Sequence, residues 1–269
     1  MSLTPHEQNG LVWYTADLLT APHGFSTRLG GVSPSPWDSL NLRPAQGDGE
    51  AALRENYRRF FAALGLDETR AVLSQQTHTA NIRRVTEADA GKGLPRPRDY
   101  TDVDALITDV PDLPLTVFSA DCGTILLHDP IQRAVGAVHA GWRGCAAGIV
   151  EKTVQAMADA YGSRPADLRV ALGPCIGPCC FETDDDVPAA MRAALGHDAE
   201  PYITRRGAKF HVDLAGLNRQ WLLRAGLAPA HIAVSDLCTA CHPALFWSHR
   251  KMGDRRGAQV AVIALEEAL

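Results

Sequence analysis

Apolar residues recur at helical spacing in three places: Leu53, Tyr57, Phe60 and Leu64; Val150, Val154, Met157 and Tyr161; and Leu214, Leu217 and Trp221. Each set predicts an amphipathic helix, the third beginning at Asp213, whose carboxylate suits an N-cap. Around them lie short apolar runs of strand length at 103–108, 115–118, 124–127, 134–138, 168–172 and 259–265. Four of these runs fall between residues 103 and 138 with only short turns between them, so strands and helices do not alternate regularly. This order predicts an α+β (mixed α/β) fold, a mixed β-sandwich flanked by helices, and argues against a doubly wound parallel sheet, whose glycine fingerprint is also missing. The Pro/Gly/Asp-rich stretches at 30–49 and 91–100 read as loops rather than linkers, and no repeat interrupts the pattern, so residues 1–269 are expected to form one domain.

Composition narrows the function. Hydrophobic residues make up 46% and charged residues 21% of the 269, enough apolar material for a core without disulfides. The formal charge is −5 and there is no basic run, which speaks against nucleic acid or an anionic membrane as partner and leaves small molecules. The N-terminal segment has neither a positive leader nor an apolar stretch, and no run approaches the ~18 apolar residues of a membrane span, so a cytoplasmic protein is expected. Seven cysteines are an odd number, and five gather at Cys175, Cys179, Cys180, Cys238 and Cys241, with Cys122 and Cys145 upstream. In a cytosolic chain this pattern means thiols or metal ligands rather than a disulfide frame.

Three segments carry candidate chemistry: Gln76-Thr77-His78, Ala120-Asp121-Cys122, and His139-Ala140-Gly141-Trp142-Arg143-Gly144. Each lies at or beside the end of an apolar run, where a rigid sheet can aim side chains at one point. Two imidazoles and a thiolate suit zinc, and three protein ligands leave a fourth position open for water or substrate. Spacing alone leaves a second reading standing, in which two lone histidines and a buried cysteine are ordinary core residues.

Together with His23-Gly24-Phe25-Ser26-Thr27-Arg28-Leu29-Gly30-Gly31, Ser39-Leu40-Asn41-Leu42, Asp104-Ala105-Leu106-Ile107-Thr108, Gly173-Pro174-Cys175-Ile176-Gly177-Pro178 and Cys238-Thr239-Ala240-Cys241, these segments resemble the YfiH/YlmD family, also called DUF152 and long labelled laccase domain-containing. The resemblance runs over nearly the whole chain. It implies a fold similar to the catalytic domain of cytotoxic necrotizing factor and a zinc site at His78, Cys122 and His139. It further implies action on purine nucleosides: phosphorolysis of adenosine, inosine, guanosine or methylthioadenosine, and deamination of adenosine.

On that expectation Arg28 and Arg143 are the candidate phosphate ligands, Arg143 beside amides at the start of a helix, although a guanidinium packed on Trp142 is an equal reading. Asp121, next to a ligand, is the candidate to orient a ligand or carry a proton, against a plain turn carboxylate. Asn41 and Gln76 are candidate substrate contacts, against local backbone partners. Residues 92–98, rich in proline and basic side chains, are expected to shape one side of the pocket, and the loop 173–180 to form its wall or support.

Rival readings remain open at this level. A copper oxidase would need several His-x-His pairs, and the ten histidines form none, although copper can replace zinc at one His/Cys/His centre. A metal-free hydrolase would use Cys122 as nucleophile and His139 as base. A non-catalytic nucleoside sensor would keep the motifs without turnover. The Cys238-x-x-Cys241-His242 string matches haem attachment but lacks an export signal, and with only two firm ligands it reads as buried thiols. A monomer is the expected state.

Overall fold

The computed structural model describes residues 3–44 and 47–267, so positions 45–46 of the expected 30–49 loop and the ends of the 1–269 unit lie outside the described residues. Two six-stranded mixed sheets form its centre. The first runs, edge to edge, Thr4–Gln8, Leu11–Thr15, His23–Ser26, Gln259–Ile263, Leu115–Ser119 and Val72–Leu73; the second runs Ile232–Val234, Arg169–Leu172, Gly123–Asp129, Ala134–Ala140, Ala105–Thr108 and Ile82–Arg84. A small third sheet joins Glu182–Thr183, Lys209–Val212 and Ile203–Arg206.

The two large sheets face each other across a layer that takes Phe25, Leu115, Val117, Ala261 and Ile263 from one and Leu106, Leu126, Val135, Ala137 and Ala171 from the other. Both outer faces are covered as well. Helix α1 (Glu50–Ala63) lays Leu53, Tyr57, Phe60 and Phe61 on Trp13, Phe118, Val260 and Val262 of the first sheet. Beyond the second sheet lie α2 (Trp142–Ala146), α3 (Ile149–Tyr161), α4 (Asp186–Leu195) and α5 (Leu214–Arg224), packed on Ile107, Ile125, Leu127, Val138 and Val170. A final turn, α6 (His249–Met252), caps one end.

Strands covered on both faces explain the sequence pattern: every residue of Ala105–Thr108, Leu115–Ser119, Gly123–Asp129 and Ala134–Ala140 is buried, so the runs are predominantly apolar rather than alternating. The expected sandwich flanked by helices is thus the observed fold, and the six expected strands and three expected helices all form. Asp213 does cap α5, its side chain accepting from the Gly216 amide. The strands Thr4–Gln8, Leu11–Thr15 and His23–Ser26 went unread, the first because it is an edge strand with three exposed residues and little apolar signal. Helix α4 also went unread, since Pro188 in its first turn hides the periodicity. No helix among the described residues is long and apolar enough to cross a membrane.

Phe60 is fully buried between α1 and the first sheet and meets Phe61 edge-on, with ring centroids 6.1 Å apart. Phe60→Ala is expected to destabilise the protein by about 3–5 kcal/mol, read from the midpoint of urea unfolding at unchanged slope; a loss below 1 kcal/mol would mean that α1 is not anchored through this ring.

Candidate metal and catalytic site

Register brings the candidate ligands together. In the hairpin of the second sheet Gly123 pairs with Ala140 and Thr124 with His139, which sets Cys122, just before one strand, against Gly141, just after the other. His78 arrives on the loop that leaves Val72–Leu73, with a left-handed backbone at φ 66°. One donor atom from each of His78, Cys122 and His139 lies within 4.8 Å of the others, and Cys122 Sγ stands 3.9 Å from His78 Nε2. Zinc–nitrogen bonds of about 2.0–2.1 Å and a zinc–sulfur bond of about 2.3 Å fit this spacing. Only glycine fits at 141, because a Cβ there would come 2.8 Å from the His78 ring and 3.1 Å from Cys122 Sγ.

The residue that organises the centre is Asp104, which is wholly buried. Its Oδ1 accepts from the His78 amide at 3.0 Å and from His139 Nδ1 at 2.8 Å. Its Oδ2 accepts from the amides of Thr77 at 3.1 Å and Thr79 at 3.0 Å and from the Thr79 hydroxyl at 2.8 Å. Burial acts to raise the Asp104 carboxyl, but the His139 hydrogen bond and these backbone donors hold it down to about 2. A carboxylate at Nδ1 fixes that nitrogen as the one bearing hydrogen, so Nε2 of His139 turns its lone pair to the centre. Burial works against charge on both members of the Cys122–His139 pair, yet each stabilises the other: the thiol falls below its ordinary range and the imidazole rises above its own.

The centre opens into a cavity of about 640 Å³, within the usual range for a small-molecule site. Its walls carry Arg43, Arg98, Arg143, Arg250 and Arg256, while Ile176, Phe181 and Trp142 supply an apolar flank. Burial and the neighbouring Arg43 lower the affinity of Arg256 for its proton, and burial and Arg98 do the same for Arg43, so these three cations crowd one another. Arg256 Nε is buried without a hydrogen-bond partner among the described residues.

Several expected site residues stand elsewhere. Arg28 is not in the cavity wall: its guanidinium donates to the Asp38 carbonyl at 2.6 Å and the Pro243 carbonyl at 2.9 Å and lies over the Trp247 ring. Asn41 is buried, donating to Asp48 and accepting from the amides of Arg43 and Ala258. Gln76 does line the cavity, but its amide is tied to both the carbonyl and the amide of Phe118. Asp121 orients no ligand, because at φ 90° its side chain turns to the Thr239 hydroxyl at 2.6 Å, the Ser248 hydroxyl at 3.0 Å and the Arg250 amide at 2.7 Å. Arg143 lines the cavity with its guanidinium 4.2 Å over the Trp142 ring. Arg43, Arg250 and Arg256 went unread, since nothing along the chain shows which arginines the fold brings to the cavity wall. Of the basic 92–98 stretch, Arg98 lines the cavity.

A sequence profile of the family described as multi-copper polyphenol oxidoreductase laccase matches residues 22–266. Purine nucleoside phosphorylase YlmD of Geobacillus stearothermophilus is 37% identical over 249 residues, covering 91% of this chain and 90% of that protein. A purine nucleoside phosphorylase of Deinococcus radiodurans is 35% identical over 257 residues, covering 95% and 94%. Among solved structures, YlmD from Geobacillus stearothermophilus superposes with a TM-score of 0.90 at 36% identity, over 97% of this chain and 98% of that one. A Bacillus licheniformis protein titled hypothetical protein YfiH gives 0.91 at 33% identity, with the same coverage.

Asp104→Asn is expected to weaken zinc binding by about 10–100-fold, measured by competition with a chromophoric chelator; unchanged affinity would show that Asp104 does not hold the His139 ring. In the same titration wild-type affinity should strengthen with rising pH, because the proton that His139 holds more tightly than usual must leave before Nε2 binds the ion. An affinity that is flat with pH would contradict the ligand assignment.

Proposed function

The chain belongs to the multi-copper polyphenol oxidoreductase laccase family, in which its YlmD and YfiH relatives are named purine nucleoside phosphorylases, and we propose that it is a zinc-dependent purine nucleoside phosphorylase that also deaminates adenosine. The observation that carries the reading is the crowding of Arg43, Arg98 and Arg256 in the cavity wall beside His78, Cys122 and His139. Like charges held together, one with an unpartnered buried donor, favour an anion among them.

In this mechanism the arginines bind inorganic phosphate and orient it at the ribose. A phosphate oxygen bonds C1′ as the C1′–N9 bond breaks. The bonding pair leaves with the purine, which takes up a proton and departs as free base, and the other product is ribose 1-phosphate. Phe181, Ile176 and Trp142 offer the apolar seat for the purine ring. His78, Cys122 and His139 would hold the ion, with Asp104 fixing the His139 ring. When bound, the ion supplies Lewis acidity at its open position. Adenosine, inosine, guanosine and methylthioadenosine share the purine and ribose that such a cavity recognises. Adenosine deamination uses the same seat: water adds at C6, the amino group leaves as ammonia and inosine remains, with no need of phosphate.

Copper at this centre is a substitution, since a trinuclear copper cluster needs more imidazoles than His78 and His139 provide. The Asp104–His139–Cys122 order also supports a second reading, a metal-free hydrolase with Cys122 as nucleophile. That reading leaves His78 idle, and chelation would spare its activity whereas it abolishes that of the zinc enzyme. None of the seven cysteines is in a disulfide, which supports a reducing, cytoplasmic setting. We take 1–269 as one catalytic unit and a monomer, with purine nucleosides and phosphate as its partners.

Arg43→Ala and Arg256→Ala are each expected to raise the KM for phosphate by about 10–100-fold, the loss of one charged hydrogen bond worth about 1.5–3 kcal/mol, while adenosine deamination is largely kept. Arg28→Ala should leave the phosphate KM unchanged. Equal losses in both reactions, or an unchanged KM in the first two variants, would remove the phosphate role.

A further inference from the structure

Four cysteines that the mechanism does not use converge elsewhere. Cys179 and Cys180 close the loop that follows Arg169–Leu172, and Cys238 and Cys241 end a tight turn in which the Cys241 amide donates to the Cys238 carbonyl. A parallel bridge between Cys175 and Cys238 brings the two segments side by side. The four sulfurs all lie within 4.8 Å of one another, and Cys241 Sγ is 3.4 Å from both Cys179 Sγ and Cys180 Sγ. Four thiolates about 2.3 Å from one zinc ion in a tetrahedron stand about 3.8 Å apart, whereas a disulfide needs about 2.05 Å. The sulfurs are therefore spaced for an ion between them.

The surroundings fit an anionic cluster. The Gly177 amide donates to Cys238 Sγ at 3.2 Å, and a Cβ at Gly177 would come within 3.3 Å of Cys238 Cβ and 3.4 Å of Cys179 Sγ, so the backbone wraps closely round the sulfurs. The Arg250 guanidinium, donating to the Cys180 and Glu182 carbonyls, adds positive charge beside them. The expectation of buried thiols at Cys238 and Cys241 holds for Cys238 but not for Cys241, which, like Cys179, is exposed and so free to bind and to oxidise.

We propose that Cys179, Cys180, Cys238 and Cys241 form a second metal site, a closed tetrathiolate that takes one zinc ion. Four protein ligands leave no open position, so the role is structural. The ion would clamp the loop that carries Ile176 and Phe181, both in the cavity wall, to the turn whose Thr239 hydroxyl binds Asp121. This assignment does not depend on the nucleoside reading.

The test is metal content and the cobalt absorption spectrum of the full chain as wild type, Cys122→Ala and Cys179→Ser/Cys241→Ser, purified under reducing conditions from zinc- or cobalt-supplemented cells. Wild type should hold two ions per chain. Cys122→Ala should keep one, with the intense thiolate-to-cobalt bands of a tetrathiolate, and the double serine variant should lose that ion and those bands while keeping the other. Should the double variant fail to fold, Cys122→Ala still decides. One ion in wild type that vanishes in Cys122→Ala, copper in place of zinc among the four sulfurs, or a disulfide in the intact mass of the reduced preparation would overturn the proposal.

Discussion

Asp104 has no access to water, and a carboxylate so enclosed keeps its charge only if donors surround it. The amides of Thr77, His78 and Thr79, the Thr79 hydroxyl and His139 Nδ1 do so. One buried charge thus fixes the loop that carries His78 and aims the ring of His139. The left-handed backbone at His78 is tolerated because flanking amides on both sides are held by the same carboxylate. Without Asp104 the sandwich would still have its layers, but two of the three donors would lose their direction.

The sandwich contributes rigidity and a place. Its hairpin register puts Cys122 beside Gly141, and the missing side chain at Gly141 admits the His78 ring and the thiol together. From that corner the cavity is enclosed by segments far apart in sequence, with Arg43 and Arg98 from long loops and Arg250 and Arg256 from the stretch around α6. Asp121 joins these parts through Thr239, Ser248 and Arg250, so the carboxylate next to Cys122 works as a tie between loops. Charge then divides the cavity: crowded arginines suit a phosphate, and the apolar flank suits a flat base.

The parts legible in the sequence are those whose signal is local. Runs such as 134–138 and 259–265 announce strands buried on both faces, and the spacing of Leu53, Tyr57 and Phe60 announces α1. The meeting of His78, Cys122 and His139 came from resemblance, because their separations carry no metal spacing of their own. What went unread depends on direction rather than identity. Arg28 and Arg256 are the same residue type, but one is held by carbonyls of Asp38 and Pro243 away from the cavity, while the other lines it and leaves its buried Nε without a partner among the described residues. Asp121 and Asp104 differ likewise, one turned away by a positive φ, the other placed just before a strand where it meets both the His78 loop and the His139 ring. The sequence groups Cys179, Cys180, Cys238 and Cys241 among its clustered thiols, but it offers only two firm ligands at Cys238 and Cys241 until the Cys175–Cys238 bridge sets Cys179 and Cys180 beside them.

The central claim, that an imidazole–thiolate centre beside an arginine-lined cavity runs phosphorolysis, is tested most directly by product analysis. Metal-quantified wild type and Cys122→Ala would each be incubated with inosine and with adenosine, with and without phosphate. The account predicts free base and ribose 1-phosphate only when phosphate is present, and neither from the variant that has lost its ion at this centre. Fully zinc-loaded wild type that turns over neither nucleoside, or base release that ignores phosphate, would contradict it.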